Sequence, residues 1–365
     1  MVLGAICFLF FQVGFLHLNE AYLYLSSAIL GVGAGFFWTG QGSYLAEISS
    51  EKNSRRNSGM LWAIFQASIA VGGVFLLGVF TFVSTEQKIE EHTVTILYSV
   101  FSVMNVLGIV ILAFLRNPGQ EQKTKDNGQE KMSLVKMMAS VLNLLSTKQM
   151  LQLGFAFCFT GLSNSLYSSV YSTVIAFTTS LGSNTNALMA SYAIFMGSGQ
   201  IVGGCLFGIL GEKTKQLGRQ NIVFAGMILH LVTFGAIFVN FPAEASLKPT
   251  DQIGFIKPSI IIAMICGFTL GLGDSIWNTQ IYAFLVDNYK TNSSQAFALY
   301  KATQALSNCF AFFCGSMINL YGHLAIISAM AVLGALGFYC CEKNVQNIVA
   351  DDKNREAGHR VAFKV

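Results

Sequence analysis

Charge is what this sequence has least of. Only 11% of its 365 residues are Asp, Glu, Lys or Arg, where soluble domains run near roughly 25%. With 53% hydrophobic residues, that shortage excludes a soluble globular chain and points to a protein that crosses a membrane several times. Proline is scarce as well: Pro118, Pro242, Pro249 and Pro258 each fall between or at the start of apolar blocks, where a helix breaker does no harm. The short alternating segments of a transmembrane barrel are missing. The eight Cys lack the paired spacing of a disulfide or zinc framework and read as small packing residues, with palmitoylation a second reading for Cys340 and Cys341. Residues 1–17 lack a basic n-region and a small-residue cleavage site, so they read as a span and not a signal peptide. No metal-ligand cluster, nucleophile motif or phosphate cradle occurs in an aqueous context. Gly31-Val-Gly33-Ala-Gly35 lies inside an apolar block and does not follow a strand. These absences argue against an enzyme, a cofactor and a nucleic-acid partner. The partner implied throughout is the lipid bilayer.

What is present is a series of apolar blocks about 20 residues long, the length of a membrane-crossing helix. The sequence predicts an all-α integral membrane protein with about ten transmembrane helices, four plus six, in two pseudo-symmetric halves. The first half occupies 1–115. Residues 116–148 form a polar linker containing Asn117-Pro-Gly and a short helix near Ser133–Ser146 whose Leu134, Met137, Met138, Val141, Leu142 and Leu145 share one face, as expected of a helix lying on the membrane surface. The second half spans 149–342, and 343–365 form a tail. Of the 22 Lys and Arg residues, 18 fall in alternate loops and the tail, three in the opposite loops and one, Lys301, inside a span. The positive-inside rule then places the linker and both termini in the cytoplasm, and leaves the Asn292-Ser-Ser sequon on the unglycosylated side.

Polar residues inside apolar blocks are the functional candidates, because ionisable and amide groups are costly in hydrocarbon unless they face a cavity or a partner. Asp274 lies mid-span within Gly271-Leu-Gly-Asp-Ser-Ile-Trp-Asn-Thr-Gln280. Two readings stay open for it: a proton, cation or gating site, or one member of a structural pair with Lys301 on the next span. Asn278 is one turn beyond Asp274, and Gln304 shares a helical face with Lys301. Lys301 alternatively snorkels to the headgroups. In the fifth span Asn164 and Ser168 share a face, as do Tyr167 and Tyr171; that side is expected to be wetted, against the alternative of Ser bonding back to its own helix. Trp38, Gln41 and Gln280 complete the set of substrate or cavity candidates, although Trp in such runs is as often core. Gly199 to Gly203 and Gly204 to Gly208 are small-residue spacings for helix packing.

The halves echo each other. Leu30, Gly31, Gly33, Trp38 and Gln41 recur as Leu270, Gly271, Gly273, Trp277 and Gln280, and Trp62 with Gln66 recurs as Tyr300 with Gln304. Repeated halves with midplane polar groups are a feature of secondary transporters. The stretch Gly211-Glu-Lys-Thr-Lys-Gln-Leu-Gly-Arg219 resembles the loop between the second and third helices of each six-helix half in the major facilitator superfamily, with two extra residues before Gly218. Phe36-Phe-Trp-Thr-Gly-Gln-Gly42, Arg56-Asn-Ser-Gly59 and Gly271–Gln280 look like its Unc-93-like branch. The resemblance runs over residues 1–340. It implies a major-facilitator-like bundle whose first span here corresponds to helix three, the first two helices having no counterpart in this sequence. It also implies secondary transport of an unidentified small solute by alternating access, proton coupling or a cation being suggested by Asp274. The alternative it implies is a non-transporting regulatory or trafficking partner of other membrane proteins.

Overall fold

Side-chain caps and glycines set where the apolar blocks become helices. In the computed structural model, described over residues 1–50, 52–82, 91–115, 134–182, 184–211 and 216–362 (backbone alone for Glu91, Leu134, Val135, Met137 and 349–362), twelve α-helices follow one another. They are α1 (Val2–Val13), α2 (Glu20–Ile48), α3 (Ser54–Phe82), α4 (Glu91–Ala113), α5 (Leu134–Leu145), α6 (Lys148–Ser165), α7 (Tyr171–Phe177), α8 (Thr185–Ile209), α9 (Arg219–Asn240), α10 (Ile260–Asn288), α11 (Ser293–Gly315) and α12 (Leu320–Ala362). Asn19, Thr147 and Asn184 accept the Tyr22, Met150 and Ala187 amides and so start α2, α6 and α8, each satisfying an orphan N–H of the first turn. Gly218 precedes α9 with φ +76°, a conformation glycine adopts without strain. No strand occurs among the described residues; Thr178 and Thr250 form an isolated bridge.

Seven of these helices are long and apolar enough to cross a membrane: α2, α3, α4, α8, α9, α10 and α12. The other three expected spans are helical too, each with a reason for falling short. α1 has only 12 residues before a 3-10 turn, Gly14–Leu16. A π turn, Leu166–Val170, interrupts the run from α6 to α7. α11 carries Lys301, Gln304 and Asn308. The twelfth helix continues well past Cys341, because Glu, Lys, Gln and Ala sustain a helix after the apolar pattern has ended. Most of the 116–148 linker and residues 212–215 of the Gly211–Arg219 stretch lie outside the described residues.

Polarity is distributed as in a membrane protein. Val103, Met104, Leu107 and Ile111 of α4, Val232 of α9 and Leu306 and Phe313 of α11 are exposed, while Gln66, Gln200, Asp274, Asn278 and Gln280 are buried. Backbone groups are satisfied within the helices, as hydrocarbon requires. The central element is α10: every residue from Gly273 to Val286 is buried, so this helix is enclosed on all sides. Around it α9, α8 and α3 pack, α6 runs between α11 and α12, and α1 pairs with α2 and α4. α3 lies along α8 with glycines at the crossing. A Cβ on Gly59 would strike the backbone of Gly204 and Gly208, and one on Gly197 would strike Ala70. Such close backbone approach is what small residues permit between membrane helices.

Candidate functional site

A cavity of about 1280 Å³ lies between α2 and α3 on one side and α6, its π turn and α11 on the other, with α5 at one end. The space exceeds the roughly 300–1,000 Å³ of typical small-molecule sites. Trp38, Asn164, Ser168, Asn278, Lys301 and Gln304 all line it, as do Trp62, Gln66, Tyr167 and Asn308. Among the described lining residues Lys301 alone is charged.

The lysine is held by aromatic faces contributed from three helices. Its Nζ lies 5.0 Å from the ring centroid of Trp38 on α2, 5.4 Å from Tyr282 on α10 and 4.7 Å from Tyr300 on its own helix. It also donates to Gln304 Oε1 at 2.8 Å. Ring quadrupoles stabilise a cation at such distances by about 0.5–2 kcal/mol, so Lys301 is kept at the cavity wall by local partners.

Asp274 sits behind this wall, 2% exposed. Its Oδ1 accepts from Asn278 Nδ2 at 3.0 Å, and Asn278 Oδ1 accepts from the Tyr300 hydroxyl. Gln304 Nε2 donates to the same hydroxyl at 3.4 Å and closes a chain to Lys301. Asp274 Oδ2 has no hydrogen-bond partner among the described residues. Acid and lysine form no ion pair; four side-chain hydrogen bonds separate them.

The remaining candidates lie off the cavity. Gln41 accepts from Tyr282 Oη at 3.3 Å, and Gln280 is buried, its Oε1 without a partner among the described residues. Tyr171 is fully buried and donates to the Ala263 carbonyl at 2.9 Å. Its pairing with Tyr167 assumes an unbroken α-helix. Instead the Tyr171 N–H bonds to the Leu166 carbonyl, five residues back, and the wider π turn rotates the residues beyond it. Tyr167 and Ser168 of that turn face the cavity while Tyr171 packs against Tyr192 and Phe241. Single π turns of this sort are frequent at functional sites.

Gln200 was not among the sequence candidates. Its Oε1 accepts from both Trp62 Nε1, at 3.1 Å, and Gln66 Nε2, and it ties α8 to α3 in the middle of their glycine seam. An amide within an apolar segment is the signal that marks it; the flanking Gly199 and Gly203 draw attention to packing instead. At the start of α9, Arg219 pairs with Asp287 of α10 and Glu342 of α12.

Residues 1–339 match the family described as "Ion channel regulatory protein UNC-93". The chain belongs to the UNC-93 family. Within it, the chain is 32% identical to UNC93-like protein MFSD11 of Xenopus laevis over 329 residues, 86% of this chain and 73% of that protein. It is 25% identical to UNC93-like protein 3 of Arabidopsis thaliana over 319 residues, 82% and 63% of the two chains. Among solved structures, FucP, a major facilitator superfamily transporter in the outward conformation, superposes with a TM-score of 0.58 at 12% identity, covering 93% of this chain and 80% of FucP. That likeness shows the fold of this UNC-93 family member to be that of the major facilitator superfamily, and with its seven helices long and apolar enough to cross a membrane the protein is an integral, multi-pass membrane protein.

Proposed function

We propose that this UNC-93 family protein is a secondary transporter that moves a small solute by alternating access. The observation that carries the reading is the cavity of about 1280 Å³ enclosed jointly by the early helices α2 and α3 and the later helices α6 and α11, with polar groups at mid-span. A site between two helix groups is where rocking one against the other exposes it to each side in turn. On this reading ten spans form two units, residues 1–115 and 149–342, joined by the linker 116–148, with both termini cytoplasmic. Trp38, Asn164, Ser168, Asn278, Lys301 and Gln304 serve as cavity contacts, Asp274 and Tyr300 as their support. Met138 and Leu142 of α5 and Ser294 of α11 border the cavity at its end near the linker.

The test is uptake into proteoliposomes of a panel of anionic, neutral and cationic solutes. Accumulation of one class that exceeds protein-free vesicles, and that is lost on filling the cavity with Ala298→Trp, supports transport; no uptake of any class contradicts it. A second reading, regulation of another membrane protein, is favoured by the family's description as an ion channel regulatory protein. It predicts instead that the current of a co-expressed channel changes while solute flux is absent.

A further inference from the structure

Resting on the reading of the cavity as a solute site, we infer that it selects an organic anion with an aromatic or other flat apolar body, its negative group meeting Lys301. The charge balance of the wall is the first reason. Lys301 is the single charged residue among the described lining residues, and the acid in its hydrogen-bonded chain, Asp274, is buried behind Asn278 and Tyr300. With no carboxylate among the described lining residues, the charged group that a solute meets is the lysine, and the mainly apolar wall strengthens its field.

The second reason concerns the aromatic box. Trp38, Tyr282 and Tyr300 are arranged as a cage for a cation, but the ammonium of Lys301 already occupies it. A cationic solute therefore meets both a filled cage and a like charge. The suggestion from Asp274 alone, that the site takes a cation, is reversed once Lys301, and not that acid, is found on the cavity wall.

The third reason is the donor inventory. The ammonium has three N–H bonds and uses one on Gln304 Oε1, which leaves donors for a carboxylate. Phe65, Trp62 and Tyr167 offer apolar ring surface, and Gln66, Asn164 and Asn308 offer amides. This is the composition expected of a site for an amphipathic ligand: mainly apolar lining with a few placed polar groups.

The experiment compares three probes with one ring and three head groups, indole-3-acetate, indole-3-acetamide and tryptamine, by calorimetric titration of the full-length protein in detergent. The acid is expected to bind saturably and about ten- to a hundredfold more tightly than the amide or the amine, the range that one hydrogen bond to a charged partner represents. Lys301→Arg is expected to keep that preference and Lys301→Gln to abolish it, with size-exclusion profiles confirming that both variants fold. The comparison among probes on the unmodified protein stands even if a variant does not fold. Equal or tighter binding of the amide or amine, undiminished acid binding by Lys301→Gln, or no binding of any probe at millimolar concentration overturns the inference. Flux separates it from the transport reading. Acid bound but not moved across proteoliposomes defeats transport and leaves the anion site standing. Movement of a neutral or cationic solute, unaffected by Lys301→Gln, does the reverse.

Discussion

Asp274 and Lys301 are connected without touching: the carboxylate takes the Asn278 amide, and Tyr300 and Gln304 carry the chain of hydrogen bonds to the ammonium. Each therefore has its own neutral hydrogen-bond partners, and no direct contact joins the two.

That separation makes a prediction for the acid. Asp274→Asn keeps an oxygen to accept from Asn278 and is expected to change thermal stability in detergent by less than about 1 kcal/mol. Asp274→Leu removes the side-chain acceptor and leaves Asn278 Nδ2 its bond to the main-chain carbonyl of residue 274 alone, at a cost of about 1.5–3 kcal/mol, the range of a hydrogen bond to a charged group. If the two charges were a structural ion pair, Asp274→Asn would be as damaging as Asp274→Leu, and adding Lys301→Gln would recover the loss.

The glycine seam predicts a contrast within one residue type. Gly59→Ala drives a methyl into the backbone of Gly204 and Gly208, so it is expected to cost about 1–3 kcal/mol and to lower the yield of folded protein. Gly35 has nothing within 4 Å of an added Cβ, and there Gly35→Ala is expected to be neutral or to stabilise by up to about 1 kcal/mol through helix propensity. Equal effects at the two positions, measured by thermal unfolding, would mean that α3 and α8 do not meet at Gly59.

Arg219 holds two carboxylates, its side chain 11% exposed and those of Asp287 and Glu342 11% and 9%. Arg219→Ala leaves both acids poorly hydrated and unpaired and is expected to destabilise by about 3–5 kcal/mol. Arg219→Lys offers a single ammonium in place of a fork and is expected to recover only part of that. Asp287→Asn together with Glu342→Gln in the Arg219→Ala protein is expected to restore much of the loss; a triple variant no more stable than Arg219→Ala would show that the acids are satisfied by other means.

Much of this architecture is legible in the chain because hydrocarbon leaves few options: apolar blocks between polar stretches become helices, and seven of the helices found are long and apolar enough to cross a membrane. The stripe of Asp274 and Asn278 and that of Lys301 and Gln304 are readable from helical spacing, and both reach the site. The aromatic cage is not. It needs Trp38 and Tyr282, far apart in sequence, to converge on Lys301, and neither periodicity nor composition encodes which helices meet. The π turn escapes for a different reason: Leu166–Val170 has no Pro or Gly to announce it, so a regular helix placed Tyr171 with Tyr167. Gln200 is masked by its glycine neighbours, whose spacing signals packing while the amide at its centre bonds across the seam.

The central claim is that the cavity between the two groups of helices opens to both sides of the membrane, and thiol accessibility tests it most directly. Ser168 lies in the cavity on the π turn and is close in size to Cys. Ser168→Cys would be placed in a variant whose eight native Cys are replaced by Ala or Ser, after its elution profile is shown to match the parent's. A membrane-impermeant maleimide is then applied from one face of sealed vesicles and, separately, from the other. Alternating access predicts labelling from both faces, with labelling from one side reducing what remains for the other. Labelling from a single face under every condition, in folded protein, would contradict it.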